Sequence, residues 1–287
     1  MDRNELLSRS QKVMGNFILS ASGWRTVFSA SGEEEDASAE LQTIHAVLAG
    51  LMARVFVEAL PGLCGKEAAK CCVALGTDTR PTGPALLVAM LPALIEAGCR
   101  IRVAGVSAAP EIMAWSHTDP GIDGFIYISA SHNPVGHNGV KFGLDTGGVL
   151  NGDQVKPLIA RFRELANDGE ALSGMARLQV ECPASLISEM MALSASWKTA
   201  ALKAYRDFST VVIADTWDAA KADGIFETLR QGIRSRPIGI VGDLNGSART
   251  VSIDRDFLTD LGVKTRFIND RPGEIAHRIV PEGHSLD

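Results

Sequence analysis

Cysteine is scarce in this chain and unevenly placed. There are five, an odd count, and no two stand in a CxxC pair. That pattern excludes a disulfide framework and a zinc ribbon and fits a reducing compartment. Positive charge is also thin. Lys and Arg number 28 against 34 acidic residues, for a net charge of -6, and they are scattered rather than clustered. No basic footprint exists for a nucleic acid or an anionic membrane, and neither is expected as a partner. Long apolar runs are missing as well. The most apolar stretch, Pro84 to Ala97, is interrupted by Pro92 and falls short of the roughly 20 residues of a membrane span. The N-terminus carries Asp2 and Glu5 instead of a signal peptide's basic and apolar regions, so the expected location is the cytoplasm. Internal repeats are absent, and the short acidic run Glu33 to Asp36 reads as a solvated loop.

What is present is a folded α/β pattern. With 46% apolar and 22% charged residues the chain is an ordinary globular sequence, and 287 residues reach the size at which one core usually gives way to two domains. Asn4 to Phe17 reads as an amphipathic helix. Ser22 to Arg25 reads as a break before the small apolar run Thr26 to Phe28. Ser38 to Leu60 is a long helical pattern stopped by Pro61-Gly62, and Cys72 to Leu75 is a strand entering Gly76-Thr77-Asp78-Thr79-Arg80-Pro81. Helix (Gly83 to about Ala97), strand (Ile101 to Ala104), helix (Pro110 to Trp115) and strand (Gly124 to Ile128) then alternate, followed by a strand at Val140 to Leu144 and a helix at Gly152 to Leu165. The Ala, Ser and Met rich stretch from Asn167 to Leu202 carries helical pieces, and a domain boundary is expected near 200. Beyond it, Thr210 to Ala214 reads as a strand, Asp218 to Arg234 as a helix, Ile238 to Val241 as a strand, the stretch up to Leu261 as a helix, and Val263 to Ile268 as a strand. The expected fold is α/β: a mixed, mostly parallel sheet with flanking helices in 1–200, then an incomplete second α/β domain in 201–287.

The chemistry concentrates in Ile128-Ser129-Ala130-Ser131-His132-Asn133-Pro134, where a short β-type run delivers Ser131 to a turn containing Pro134, Gly136, Asn138 and Gly139. A serine hydroxyl is a weak nucleophile until a base, cation or metal assists it, and His132, Lys141 and turn NH groups lie close in sequence. NH groups, an imidazole and an ammonium together suit a dianionic phosphoryl group. The same four residues Ser-His-Asn-Pro also make an ordinary hydrogen-bonded turn. Lys141 reads equally as a solvated strand residue, Arg25 as a partner of a carboxylate, and Asp78 with Arg80 as a pair that fixes its own loop. His45, His117 and His137 read as surface or satisfied histidines, and the Met and Trp residues as packing.

The loop ISASHNP, with Val135-Gly136-His137-Asn138-Gly139-Val140-Lys141-Phe142 after it, resembles the active-site signature of the α-D-phosphohexomutase superfamily, the phosphoglucomutases and phosphomannomutases. Ser22-Gly23-Trp24-Arg25 resembles that family's SGxRG-like loop, and Gly76-Thr77-Asp78-Thr79-Arg80-Pro81 its GRDTR-like loop. Gly242-Asp243-Leu244-Asn245-Gly246 and Ile279-Val280-Pro281-Glu282 look like parts of its second domain. The resemblance implies interconversion of hexose 1-phosphate and 6-phosphate through a bisphosphosugar such as glucose 1,6-bisphosphate. Ser131 is implied to carry the phosphoryl group, Lys141 to move protons, Arg25 to stabilise charge, and His132 to shape the catalytic loop. Asn133, Asn138 and Arg80 are implied to contact the substrate, and the phosphate on Ser131 to help bind Mg2+.

The sequence also departs from that pattern. The family holds Mg2+ with three carboxylates of a DGDADR-like loop, and no DxDxD occurs in these 287 residues. Asp254 and Asp256 flank Arg255 without a Gly-rich setting and read as a solvated helix face. Trp24, Thr26 and Thr77 also depart from the family's loops. The expectation is the N-terminal portion of a mutase, inactive alone because its metal and sugar sites are incomplete. The alternative is a catalytically inert phosphosugar-binding or interaction module.

Overall fold

The computed structural model describes residues 2–277, so the Ile279 to Glu282 segment lies outside the described residues. In chain order the elements are α1 (Arg3–Met14), β1 (Ile18–Ser20), β2 (Gly23–Val27), α2 (Thr43–Cys64), β3 (Cys72–Thr77), α3 (Gly83–Glu96), β4 (Arg100–Val106), α4 (Ala109–Thr118), β5 (Gly124–Ile128), β6 (His137–Leu144), α5 (Gly152–Ala166), α6 (Gly169–Glu181), α7 (Ala184–Ala192), α8 (Ser194–Ala214), α9 (Ala219–Ser235), β7 (Gly239–Asp243), α10 (Asp254–Asp260) and β8 (Lys264–Ile268).

Six strands form one mixed sheet in the order β1-β2-β6-β5-β3-β4. β3 pairs in parallel with β4 and β5, whereas β5–β6, β6–β2 and β2–β1 are antiparallel. Parallel pairing therefore holds the β5-β3-β4 end but not most of the sheet. The antiparallel share comes from the serine loop, which folds β6 back beside β5, and from the segment before α2, which pairs as a hairpin. Val73, Leu75, Ile126, Ile128, Val140 and Phe142 lie in the larger core cluster with α2, α3 and α5 residues. Cys72, Ala74, Phe125 and Tyr127 belong to a second cluster with α4 and α8 residues. This alternation of neighbours puts helices on both faces, as buried parallel strands require.

Several expected elements differ in place. Gly23–Val27 is a strand and not a break: Trp24, fully buried, stacks on Phe162 and meets Phe142 edge-on, and this apolar contact holds the segment in the sheet. α2 runs through Pro61 to Cys64 and ends at Gly65, whose φ of 72° closes the helix. A proline late in a helix loses only one hydrogen bond, and glycine makes the real stop. By length and apolar composition α2, rather than Pro84 to Ala97, is capable of crossing a membrane, but here most of it is buried as a core helix.

Thr210 to Ala214 is the last turn of α8 and not a strand; Val212 and Ile213 are exposed, so the β-branched run reflects no buried strand. Residue 200 falls inside this continuous helix, which packs on α4 and β4 and reaches α9. β7 and β8 pair in parallel as a separate two-stranded sheet. Asp254 opens α10 but is largely shielded and ion-paired with Arg249, so only Asp256 of that DxD faces solvent.

Candidate active site

Ser131 occupies the loop joining β5 to β6 at φ +58°, a left-handed conformation unusual for a residue with a side chain. Its side chain is exposed, and its Oγ lies 3.4 Å from His132 Nδ1. The Ser131 N–H donates to Ser129 Oγ at 3.1 Å, while Asn133 Nδ2 donates to the Ala130 carbonyl at 2.7 Å. The loop is thus a local network that turns one hydroxyl outward. Strain of this kind persists only where the surroundings over-determine it.

Arg80 supplies most of that determination. Its guanidinium, buried at 5% exposure, donates to the carbonyls of Ser131 (3.0 Å), His137 (3.1 Å), Asn133 and Pro134. Asp78 Oδ2 stands 3.3 Å from Arg80 Nε, and Asp78 Oδ1 accepts the Arg80 N–H at 2.9 Å. Burial pushes the Asp78 carboxyl up; Arg80, and next a hydrogen bond from Ser129, oppose that shift. Of the two sequence readings of Asp78 and Arg80, the loop-fixing pair is the one the geometry supports, and Arg80 faces the loop's underside instead of an incoming ligand. Asn138 is likewise turned inward. It is fully buried, with Nδ2 donating to Thr82 Oγ1 at 3.0 Å and Oδ1 accepting the Gly139 N–H. Neither residue is placed to touch substrate.

The far side of the loop is pinned by backbone. Gly136 N–H donates to the Glu34 carbonyl at 2.7 Å, and its own carbonyl accepts from Phe28 and Ser29 N–H. A Cβ on Gly136 would sit 2.3 Å from the Glu33 carbonyl oxygen and 2.9 Å from that of Glu34, so only glycine allows this approach. The acidic run is therefore a backbone partner of the serine loop as well as a solvated surface.

Arg25 and Lys141 meet through the β2–β6 register. Arg25 pairs with Gly139, and Ser129 N–H donates to the Gly139 carbonyl from the other side. Arg25 and Ser129 therefore lie two strand spacings apart, about 10 Å between backbones. Lys141 is two residues along the same face of β6, and its Cγ is 3.3 Å from where a Gly23 Cβ would be. Burial first, and then the like charge of Arg25, hold the Lys141 ammonium below the ordinary lysine range. Arg25 Nε is buried without a hydrogen-bond partner. Two cations are thus gathered beside the strand that continues into the serine loop, in a partly desolvated setting suited to an anion.

Sequence reasoning placed Ser129, Gly136 and Thr79 in the loops but gave none of them a role. Thr79 Oγ1 donates to the Gly246 carbonyl at 2.8 Å and so ties the Arg80 loop to the loop after β7. A cavity of about 640 Å3 lies between these parts, with Pro81, Pro134, Val135, Ile275 and His277 in its wall. The only sequence sign of Ser129 was its place two residues before Ser131, and nothing in the sequence marked the other two contacts.

The residues present do not fit a magnesium site. Among the described residues no group of three or more His, Cys, Asp or Glu side chains stands together to hold a metal ion, and the nearby carboxylate of Asp78 is engaged by Arg80 and Ser129.

An α/β domain of three layers that holds a strained, outward-facing serine on an arginine-clamped loop beside two desolvated cations defines a class built to handle anionic groups. Residues 26–168 match the model of phosphoglucomutase/phosphomannomutase, alpha/beta/alpha domain I, and through this domain the chain belongs to that family. Phosphoglucosamine mutase of Moorella thermoacetica is 40% identical over 70 residues, which are 24% of this chain and 16% of that protein. Phosphoglucosamine mutase of Staphylococcus aureus is 38% identical over 82 residues, 29% of this chain and 18% of its own. The crystal structure of a phosphoglucomutase/phosphomannomutase family protein from Burkholderia thailandensis shares the fold with a TM-score of 0.52 at 19% identity, covering 91% of this chain and 47% of that one. The chain therefore spans about half the length of that solved relative.

Proposed function

We propose that this chain carries the phosphoserine part of a phosphohexomutase. Its first unit would end at the last turn of α8, about residue 214, and a partial second unit would follow. The observation that carries the reading is Ser131 held at φ +58° with an exposed hydroxyl, on a loop whose carbonyls converge on Arg80.

In the forward half-reaction the phosphoryl group leaves Ser131 Oγ for a hydroxyl of a hexose phosphate. The P–Oγ bond breaks, a P–O bond to the sugar forms, and the sugar's hydroxyl proton goes to a base. Lys141, depressed by burial and by Arg25, is the base at hand, because a lowered pKa leaves more of it neutral. The bisphosphosugar then returns its other phosphoryl group to Ser131 Oγ and the proton moves back. Arg25 spreads charge from the phosphoryl oxygens, and phosphoryl transfer needs little beyond such positioning and charge stabilisation. His132 and Asn133 shape the loop. No step is assigned to Mg2+, whose ligands the described residues do not provide. For the same reason this chain by itself is expected to turn over little or no substrate. The setting is cytoplasmic. Two relatives that match part of this chain are phosphoglucosamine mutases, so a glucosamine phosphate is the first sugar to test.

The test is phosphopeptide mass spectrometry on the chain as purified and after incubation with glucose 1,6-bisphosphate. Phosphate on Ser131, absent in Ser131→Ala, is the expected result. A Ser131 that stays unmodified in a mutase-active protein containing this segment overturns the reading.

A further inference from the structure

Four of the five cysteines gather at one end of the sheet, around the turn that links α2 to β3. Cys64 is the last residue of α2, Gly65 closes that helix at φ +72°, and Cys71 stands directly before β3. The sulfurs of Cys64 and Cys71 are in contact, 3.5 Å apart. Cys99 belongs to the same corner, with its Sγ donating to the Ala68 carbonyl at 3.2 Å. Cys72 points the other way: it packs in the cluster with α4 and α8, whereas Cys71 packs in the larger core. Of these four, Cys64 alone is partly exposed; Cys71, Cys72 and Cys99 are buried.

The two sulfurs of the contact differ in chemistry. Burial first, then the hydrogen bond and the charge of Cys64, push the Cys71 thiol up to about 12. Cys71 is therefore not the sulfur that starts a reaction, because the thiolate is the nucleophile. Cys64, half-exposed beside the exposed residues 65–67, is the one that a small molecule reaches. The charged groups beside the pair are Lys66 and Asp123, which are ion-paired. The Lys66 ammonium interacts with both Cys64 and Cys71 and favours a thiolate on either. Asp123, which also accepts the Cys72 N–H at 2.8 Å, opposes one on Cys71. Once the Cys64 sulfur is capped, its hydrogen bond and its charge no longer hold Cys71 up. The second thiol is thus released by the reaction of the first.

We propose that Cys64 and Cys71 form a reversible disulfide by exchange with a small-molecule disulfide such as oxidised glutathione. The Cys64 thiolate attacks one glutathione sulfur, the S–S bond of the oxidant breaks, and one glutathione leaves as a thiolate that takes up a proton. Cys71 then gives up its proton and attacks Cys64 Sγ; the bond from Cys64 to glutathione breaks and the second glutathione leaves in the same way. Two electrons and two thiol protons have passed to the oxidant, which becomes two molecules of reduced glutathione. The sulfurs have to close from 3.5 Å to about 2.05 Å. The exposed turn residues 65–67 and 69–70 give room for that movement, and the one contact given up is that of Cys71 Sγ with the Glu67 carbonyl at 3.4 Å. The odd cysteine count excludes a disulfide framework, whereas a single exchangeable pair is the form disulfides take in a reducing compartment. The bridge ties the end of α2 to the start of β3, at the other end of that strand from Asp78 and the serine loop. It is therefore independent of the phosphoserine reading.

The experiment is native incubation of the reduced full chain with oxidised glutathione, alkylation of the thiols that remain, tryptic digestion and mass spectrometry. Trypsin cuts after Lys66 and Lys70, so the bridge joins two peptides, one carrying Cys64 and the other starting at Cys71. That linked pair is the expected product, with fragmentation placing the bond on Cys71, and excess reduced glutathione should reverse it. Cys72→Ala and Cys99→Ala should keep the linked pair, Cys71→Ala should stop at glutathione on Cys64, and Cys64→Ala should leave Cys71 unmodified. Oxidation should raise the midpoint of thermal unfolding by about 5 °C, because the bridge restrains the unfolded chain. The proposal is overturned if Cys64 and Cys71 both stay free, if the wild type stops at the mixed disulfide, or if Cys64 pairs with Cys72, Cys99 or Cys182 instead. A bond that excess reduced glutathione leaves intact overturns its reversibility, and a midpoint that stays or falls overturns the restraint. The wild-type peptide map decides the pairing even where a cysteine variant fails to fold.

Discussion

Replacing Arg80 by lysine isolates what the guanidinium fork contributes. Arg80 donates from two nitrogens to four loop carbonyls, those of Ser131, Asn133, Pro134 and His137. Lysine keeps the charge beside Asp78 but offers three N–H groups from one point, enough for about two of those carbonyls. Hydrogen bonds to a charged group contribute about 1.5 to 3 kcal/mol each, so losing two costs about 3 to 6 kcal/mol. Water reaches the half-exposed Asn133 and Pro134 and restores part of this, leaving about 3 kcal/mol. That is less than the 5 to 15 kcal/mol of a typical domain, so Arg80→Lys should stay folded while its serine loop opens locally. Hydrogen exchange of the peptide 129–137 is the assay. Its protection should fall roughly a hundredfold, since about 1.4 kcal/mol is a factor of ten, while β3 and β5 exchange as in wild type. Arg80→Met, which also strands the buried Asp78, should lower global stability by about 3 to 5 kcal/mol in urea unfolding. If Arg80→Lys exchanges within about threefold of wild type across 129–137, the clamp argument is wrong.

Arg25→Gln removes the like charge beside Lys141 and should move the Lys141 titration upward, read by NMR of a 13C-labelled lysine side chain; an unchanged or lowered value would show that the two cations do not face each other. His45 ties stability to pH. Its folded value of about 4 lies below the ordinary 6.5, so the unfolded chain takes up a proton first, and stability is lost as pH falls from 6.5 towards 4 and changes no further below. The loss is of the order of 3 kcal/mol, seen as a falling urea midpoint that His45→Leu should flatten. Gly139→Ala would put a Cβ 3.0 Å from Arg25 Cβ and from the carbonyl oxygens of Ser129 and Trp24. Two of those three atoms are backbone and cannot yield cheaply, so thermal unfolding should show a destabilisation of about 1 to 3 kcal/mol; an unchanged midpoint would contradict the close β2–β6 packing.

The alternation of short apolar runs with helical periods was enough to read α/β order from Cys72 to Ala166, because the strands are short apolar runs bounded by turn residues, with β3 and β5 buried throughout. The reading failed where local and tertiary preferences disagree. Val211, Val212 and Ile213 have strand propensity yet finish a helix whose other residues pack on α4 and β4. Trp24 sits among turn formers but is drawn into the sheet by Phe142 and Phe162. At the site, the sequence singled out Ser131, Arg25 and Lys141 but left Arg80 between a loop-fixing pair and a ligand contact and gave no sign that Asn138 is turned inward, because spacing does not say which way a side chain points.

By itself, then, the sequence determined the α/β class and the serine loop at the end of a buried strand, since both rest on local patterns of apolar and turn residues. Only the tertiary structure decided that Arg80 holds that loop from below, that Arg25 and Lys141 share one face, and that the Gly136 turn is pinned by the backbone of the acidic run. Those facts depend on residues far apart in the chain, and hydrogen-bond direction and desolvation exist only once the chain has closed around them.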